Sequence, residues 1–394
     1  MNNRTIMVLN MLKASRTVHL FLATTFFISG LVVNFIQIIL YFILKPFNKA
    51  LYRTLNWYLC YTMYSQLVCL AEWWANVKLI LYIDKNDWNK YFGKEHGYCI
   101  MNHSYEIDWL MGWMACEKMT VLGNCKAYAK KVIQYIPVLG WGWKFAEFVF
   151  LERSYEKDKE VINKQIKELA DHPDPMWLLL FPEGTRFTPN KHETSLKYAR
   201  ENNLPELKHH LLPRTKGFIA SLPSMRGKIP AIYDTVVVFK EDDPVAPTIT
   251  NLLFGKSVTA HMYIKRVPLE EVPHTEPEQE KYLRQMFLRK DKMKESFLQT
   301  GDFFKNSGIA AVEPWVPERR IWPALNVIFW LVSILVPMLY YLIKLFFSGQ
   351  IIYFTIGTGL IFTFYVLLQR TIAMSETKHG SSYGTKIDSH SKPE

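Results

Sequence analysis

Two stretches near the C-terminal end of this chain leave little choice of environment. Residues 324–343 read ALNVIFWLVSILVPMLYYLI and residues 351–368 read IIYFTIGTGLIFTFYVLL, with only KLFFSGQ between them. A bilayer core takes about 20 mostly apolar residues as a helix, and the backbone polar groups are satisfied there only in helices or closed barrels. The pair is expected to form a transmembrane hairpin. Arg319 and Arg320 precede it and Arg370 and Lys378 follow, which places both flanks on the cytosolic side. A third stretch, residues 19–44, carries no charged side chain. It is too long for a signal-peptide core and no small-residue cleavage site follows. Asn34 and Gln37 interrupt it, so it either faces another helix or lies partly in one leaflet. Its flanks, Lys13 and Arg16 before and Lys45, Lys49 and Arg53 after, do not orient it. Residues 56–74 (NWYLCYTMYSQLVCLAEWW) are apolar nearly all round and rich in aromatics. They read equally as an embedded partner of the third stretch or as a core helix.

Between residues 75 and 318 the pattern is that of a globular domain. Short apolar runs at 97–101 (GYCIM), 177–181 (WLLLF), 231–239 (AIYDTVVVF) and 260–265 (AHMYIK) predict strands. Charged, helix-friendly stretches at 155–172 and 276–297 lie among them, and the alternation argues for an α/β fold. The division expected is therefore membrane-associated helices over 1–74, a catalytic-type domain over 75–318, the hairpin over 319–369 and a polar, disordered tail over 370–394. The net charge of +11 favours anionic partners such as phosphates or acidic lipid. Nucleic acid would account for the charge but not for the hydrophobic segments. Five scattered cysteines form no CxxC pair, which argues against a disulfide framework and a zinc site and suits mostly buried, reduced thiols in a cytosol-facing domain. His209 and His210 look ligand-like but lack a third ligand at suitable spacing, so no metal site is expected.

Chemistry collects at strand ends, where open α/β sheets form their ligand crevices. NHSYEID follows GYCIM. His103 can take a proton near neutral pH, and Asp108, five residues on, can fold back to hold the imidazole in one tautomer. By itself HxxxxD is a weak signal, and a turn at a strand end is the plain alternative. FPEGTR follows WLLLF. Gly184 permits a tight turn with exposed amides, Arg186 offers a planar fork for phosphate, and Glu183 can pair with arginine, orient the loop or bond a substrate hydroxyl. IPAIYD opens the next strand. NHS at Asn102 also fits the glycosylation pattern, but a cytosolic site does not meet that machinery.

NHSYEID followed by FPEGTR resembles the glycerolipid acyltransferases, the group that contains the 1-acyl-glycerol-3-phosphate acyltransferases, whose hallmarks are an NHxxxxD motif and then an FPEGTR-type motif. QLVCLAEWW, FGKEH, VLGNCKAYAKK, IPVLGWGW, LLPRTKGF and GSSYG resemble the gamma/delta branch, so the likeness runs over almost the whole chain. The resemblance implies an α/β glycerolipid-acyltransferase domain with N-terminal membrane-embedded helices and a C-terminal transmembrane hairpin. It implies His103 as general base with Asp108 as its partner, and Glu183, Gly184, Thr185 and Arg186 as binders of the lysophosphatidic acid phosphate or glycerol. EFVFLER resembles a further family block and makes Arg153 the phosphate-binding match, although Glu147 stands where that block usually begins with glycine. Pro230 resembles the proline of a fourth block near the acyl site.

The implied reaction is attack of the sn-2 hydroxyl of lysophosphatidic acid on acyl-CoA, giving phosphatidic acid and CoA. Acyl-CoA enters as a co-substrate, with no bound cofactor and no acyl-enzyme. The implied partners are these two substrates and the bilayer, and the implied location is the endoplasmic reticulum membrane, multi-pass, with the catalytic domain cytosolic. Another acceptor, such as lysophosphatidylinositol, and a catalytically silent lipid-binding scaffold are the competing readings. Lys126, Lys130, Lys131 and Lys144 form a basic cluster that suits CoA phosphates or anionic lipid, or is a solvated face.

Overall fold

The computed structural model describes residues 3–152 and 154–375. Arg153 and most of the polar tail, including GSSYG, lie outside the described residues. Eight strands form one sheet: β1 (Lys78–Tyr82), β2 (Gly97–Met101), β3 (Cys125–Lys130), β4 (Val149–Leu151), β5 (Trp177–Leu180), β6 (Ala231–Phe239), β7 (Thr259–Pro268) and β8 (Pro314–Trp315). Their spatial order is β4-β3-β5-β2-β6-β7-β1-β8. Strands β2 to β6 run parallel, whereas β7 is antiparallel to β6, with Ala231 opposite Pro268 and Phe239 opposite Ala260. Each strand expected from the apolar runs is present. Every residue of β6 is buried, which is why that strand reads as a continuous apolar run without alternation. The short strand β1 and the edge strands β4 and β8 carry no comparable signal.

Helices cover both faces. On one side pack α3 (Lys49–Cys69), α4 (Lys85–Tyr91) and α5 (Asp108–Lys118), with Tyr64, Val68, Leu110 and Met114 in the core. On the other lie α7 (Tyr155–Leu169), α9 (Thr215–Met225) and α11 (Glu276–Thr300), with Ile162, Phe218, Leu222, Leu283 and Phe287. The start of α11 carries Glu276, Pro277 and Glu278 in its first turn, and Gly301 ends it at φ +73. Shorter helices are α1 (Asn3–Ala14), α6 (Leu139–Phe145), α8 (Pro189–Glu201) and α10 (Ile249–Leu253).

The apolar stretches form α2 (Arg16–Ile39), extended by a wide turn to Leu44, α12 (Trp322–Trp330), α13 (Val336–Phe346) and α14 (Ile351–Ser375). A π-turn over Leu331–Leu335 joins α12 to α13. Pro337 sits just beyond it, lacks an N–H and crowds the carbonyl four residues back, which accounts for the wide turn. Arg16–Leu44 and Trp322–Phe346 are long and apolar enough to cross a membrane, and Ile351–Leu367 is a shorter apolar helix. The packing of α2 is inside out. Its buried face holds Thr24, Thr25, Ser29, Gly30, Asn34 and Gln37, while Phe35, Ile36, Ile38 and Ile39 are exposed. Gln37 Nε2 donates to Asn56 Oδ1 of α3 at 2.9 Å, and Gln66 of α3 bonds Ser29 at 3.0 Å. The two polar residues that interrupt the third stretch thus face another helix. Helix α3 turns Cys60, Met63, Tyr64 and Val68 into the α/β core, so it belongs to that core as well as to the apolar layer, and residues 1–74 are not a separate body.

Candidate active site

Because β2 and β5 are adjacent and parallel, the loops that follow them leave the sheet at the same edge. That topology brings NHSYEID and FPEGTR together across a separation of some eighty residues. Asn102 is buried and clamps its loop to β6: its Oδ1 accepts from Val237 N–H at 2.8 Å and its Nδ2 donates to Val237 O at 3.0 Å. Asp108 is the first residue of α5 and is fully buried. One carboxylate oxygen, Oδ2, accepts from the Tyr105 amide at 2.7 Å and lies 3.2 Å from His103 Nδ1. This fixes the tautomer with the proton on Nδ1 and leaves Nε2 as the basic nitrogen. The imidazole stacks on Phe181 with centroids 4.1 Å apart, and its side chain keeps 19% of its exposure, so it is reachable from the mouth.

Glu183 turns inward. Its Oε1 accepts from the His103 amide at 2.6 Å and its Oε2 from the Leu211 amide at 3.0 Å. Burial pushes its pKa up to about 8, against the two amides and Lys294, which favour the carboxylate. With 1% exposure it is bonded to the protein and not turned toward a ligand. Its two bonds join the loop after β2 to the segment that precedes α9, at a residue to which the resemblance assigns substrate binding. Gly184 has φ +71, a conformation that suits glycine, and a Cβ there would meet Arg214 Cδ at 3.2 Å, so the Arg214 side chain lies over the turn. Thr185 Oγ1 accepts from Lys191 Nζ at 2.8 Å. The Arg186 guanidinium is half-buried; burial lowers its pKa, while Glu106 and Asp108 support its charge.

Pro230 is not brought to this mouth. It is exposed and directly precedes β6, which runs parallel to β2, so it sits at the opposite edge of the sheet, about 20 Å from Val237 along the strand. Leu151 ends β4 at the same edge as His103, although Arg153 itself lies outside the described residues. The basic cluster divides. Lys130 and Lys144 are exposed and Lys131 pairs with Glu152 at 2.5 Å, but Lys126 is buried and donates to Ala146 O at 2.6 Å, so it is not a surface lysine. Glu147, at the glycine position of its block, holds φ +61. Its carboxylate pairs with Arg53 at 2.8 Å and Lys45 at 3.0 Å. Burial alone would raise its pKa, but Lys126, Arg53 and Lys45 pull it down to about 2. His209 and His210 pair with Glu295 and Asp291 of α11.

Sequence reasoning passed over Lys290 and Lys294 of α11, both buried, the first against β2 and β6 and the second against Ser104 of the NHSYEID loop. A signal existed. Leu283, Phe287, Lys290, Lys294 and Phe297 follow helical spacing, so two lysines stand in the helix's apolar stripe.

Two family models match the chain, one described as Acyltransferase over residues 85–238 and one as Acyltransferase C-terminus over 251–330. The 1-acyl-sn-glycerol-3-phosphate acyltransferase gamma of Homo sapiens is 38% identical over 379 residues, covering 96% of this chain and 98% of its own. The delta form of Rattus norvegicus is 37% identical over 386 residues, covering 98% and 99%. The crystal structure of the 1-acyl-sn-glycerophosphate acyltransferase PlsC of Thermotoga maritima superposes with a TM-score of 0.43 at 13% identity, covering 71% of this chain and 96% of that one, a likeness too distant to carry an argument.

Proposed function

The chain belongs to the 1-acyl-sn-glycerol-3-phosphate acyltransferases, and from that premise we propose that it transfers an acyl chain from acyl-CoA to the sn-2 hydroxyl of lysophosphatidic acid. The observation that carries the reading is the His103–Asp108 pair, with Nδ1 held at 3.2 Å from a buried carboxylate and the imidazole side chain partly exposed. His103 Nε2 removes the hydroxyl proton as that oxygen attacks the thioester carbonyl. Asp108 stabilises the imidazolium that forms. The C–O bond forms, the C–S bond breaks, and the proton passes from His103 to the departing CoA sulfur. The hydroxyl is itself the nucleophile, so the reaction as written needs neither an acyl-enzyme nor a cofactor. None of the five free cysteines lies in either motif. Arg186, beside the dyad on the neighbouring loop, receives the acceptor's phosphate.

The same reading places the enzyme in the endoplasmic reticulum membrane with its catalytic face cytosolic and residues 322–375 as the anchoring hairpin. Helix α2 is proposed to lie in one leaflet. Both of its ends touch the α/β domain: His19 packs on Phe254 at 4.7 Å near the start, and Tyr41 packs on Phe145 at 5.4 Å near the end.

The test is acyl transfer by the purified, detergent-solubilised protein, offering oleoyl-CoA with a panel of lysophospholipids, beside His103→Ala. Transfer to lysophosphatidic acid that falls by at least about 1,000-fold in the variant is expected. Preference for another lysolipid would keep the mechanism and replace the acceptor. Activity surviving in the variant would remove His103 from its role, and a wild type inert toward the whole panel would favour the scaffold reading.

A further inference from the structure

Lys294 is a cation for which the reaction above has no use. It lies one turn beyond Lys290 on α11, and the two side chains are 6% and 1% exposed. Lys290 is accounted for: it donates to Ile100 O at 2.9 Å and Thr235 O at 2.6 Å and pairs with Asp234 at 2.5 Å. Lys294 has no such counterion. Its Nζ donates to Ser104 Oγ at 3.2 Å and His209 O at 3.3 Å, with the Tyr105 and Phe187 rings 5.4 and 5.8 Å away. Among the described residues no carboxylate forms an ion pair with it. A buried ammonium held only by neutral oxygens is costly, and an apolar residue would serve the helix stripe better.

What the ammonium joins gives it a task. Ser104 directly follows His103. His209 stands in the loop whose Leu211 amide holds Glu183 Oε2. Asp291, one turn back on α11, grips the same loop by accepting from the Lys208 and His209 amides at 2.8 Å each and by pairing with His210 Nδ1 at 3.0 Å. The carboxylates that support the ammonium most are Glu183, Asp108, Asp291 and Glu241, from four separate segments. We propose that Lys294 is a positioning residue: by donating to Ser104 Oγ and His209 O it ties the loop bearing His103 to the loop that holds Glu183. It touches no substrate and acts through Ser104 and the His209 carbonyl. The inference rests on His103 being the base.

The experiment measures kcat and KM for oleoyl-CoA and lysophosphatidic acid with the full chain as wild type, Lys294→Met, Ser104→Ala, the double variant and His103→Ala. Lys294→Met is expected to lower kcat about 10- to 100-fold with both KM values little changed, and Ser104→Ala to lower it less. The double variant is expected to be no slower than Lys294→Met, because the two groups act as one link. Butylammonium added to Lys294→Ala should restore part of the rate, and butanol of the same shape should not. A Lys294→Met rate within about twofold of wild type, losses that multiply in the double variant, or equal rescue by butanol would overturn the proposal. Should Lys294→Met fail to fold, Ser104→Ala decides, and an unchanged kcat there counts against the link. An active His103→Ala would instead bring down the base assignment.

Discussion

At the scale of the residue, the site is a set of hydrogen bonds in which few partners face the ligand. Glu183 is the clearest case. Its two oxygens are both acceptors of amide N–H groups, one from each of two loops. Glutamine in its place would present an NH2 group to one of those amides, donor against donor. Glu183→Gln is therefore expected to lose about 1–3 kcal/mol of stability and to lower kcat, with KM for lysophosphatidic acid nearly unchanged. Thermal unfolding in detergent and steady-state kinetics check both parts, and a variant that weakens only KM would show that Glu183 binds substrate after all. The type and order of the site residues were legible because NHSYEID and FPEGTR end apolar runs. The inward turn of Glu183 was not, since it depends on Leu211, a residue with no chemical signature. Lys294 escaped notice for a related reason: in a charged helix a lysine reads as solvent-facing until its position in the apolar stripe is weighed.

At the scale of the element, the docking of α2 and α3 onto the sheet domain depends on close approach and one buried charge cluster. A Cβ on Gly30 of α2 would fall 2.2 Å from Val138 Cγ1, so Gly30→Ala forces the helix and the segment before α6 apart. A loss of about 1–3 kcal/mol is expected, seen as a lower unfolding temperature in detergent with the folded enzyme still active. Glu147 joins the same elements through Arg53 and Lys45. Its folded pKa, about 2, lies below the ordinary 4.5, so the stability it contributes is present above pH 4.5 and is lost as pH falls toward 2. Glu147→Gln should therefore be less stable than wild type by about 3 kcal/mol at neutral pH, and the gap should close on acidification. A gap that stays constant between neutral pH and pH 3 would mean that the pairing contributes nothing through charge. The helices and strands were largely legible from apolar periodicity. The left-handed backbone at Glu147 was not, because the residue type that favours such a conformation, glycine, is absent there.

At the scale of the whole molecule, the question is how an α/β domain sits against a bilayer. Helix α2 with its extension is about 43 Å long, enough to cross, yet its two ends pack against the same domain. The proposal for a helix so held is that it lies along the domain, with its apolar outer face in one leaflet. Cysteines placed at Thr17 and Phe47, which flank the apolar run, are expected to react with a membrane-impermeant maleimide from the cytosolic face of sealed microsomes. Labelling of one position only, with the other protected until detergent is added, would show a span. The chain by itself determined the class of this molecule. Long uncharged runs have no stable place in water, strand-length runs ending in His, Asp, Glu and Arg mark a sheet edge with chemistry, and both are properties of local composition and spacing. What only the tertiary structure decided is direction: that Gln37 faces α3, that Glu183 faces inward, that Pro230 sits at the far edge and that Lys294 reaches under Ser104. Direction depends on which distant segment fills the space beside a side chain, and in this chain those partners lie tens to hundreds of residues away.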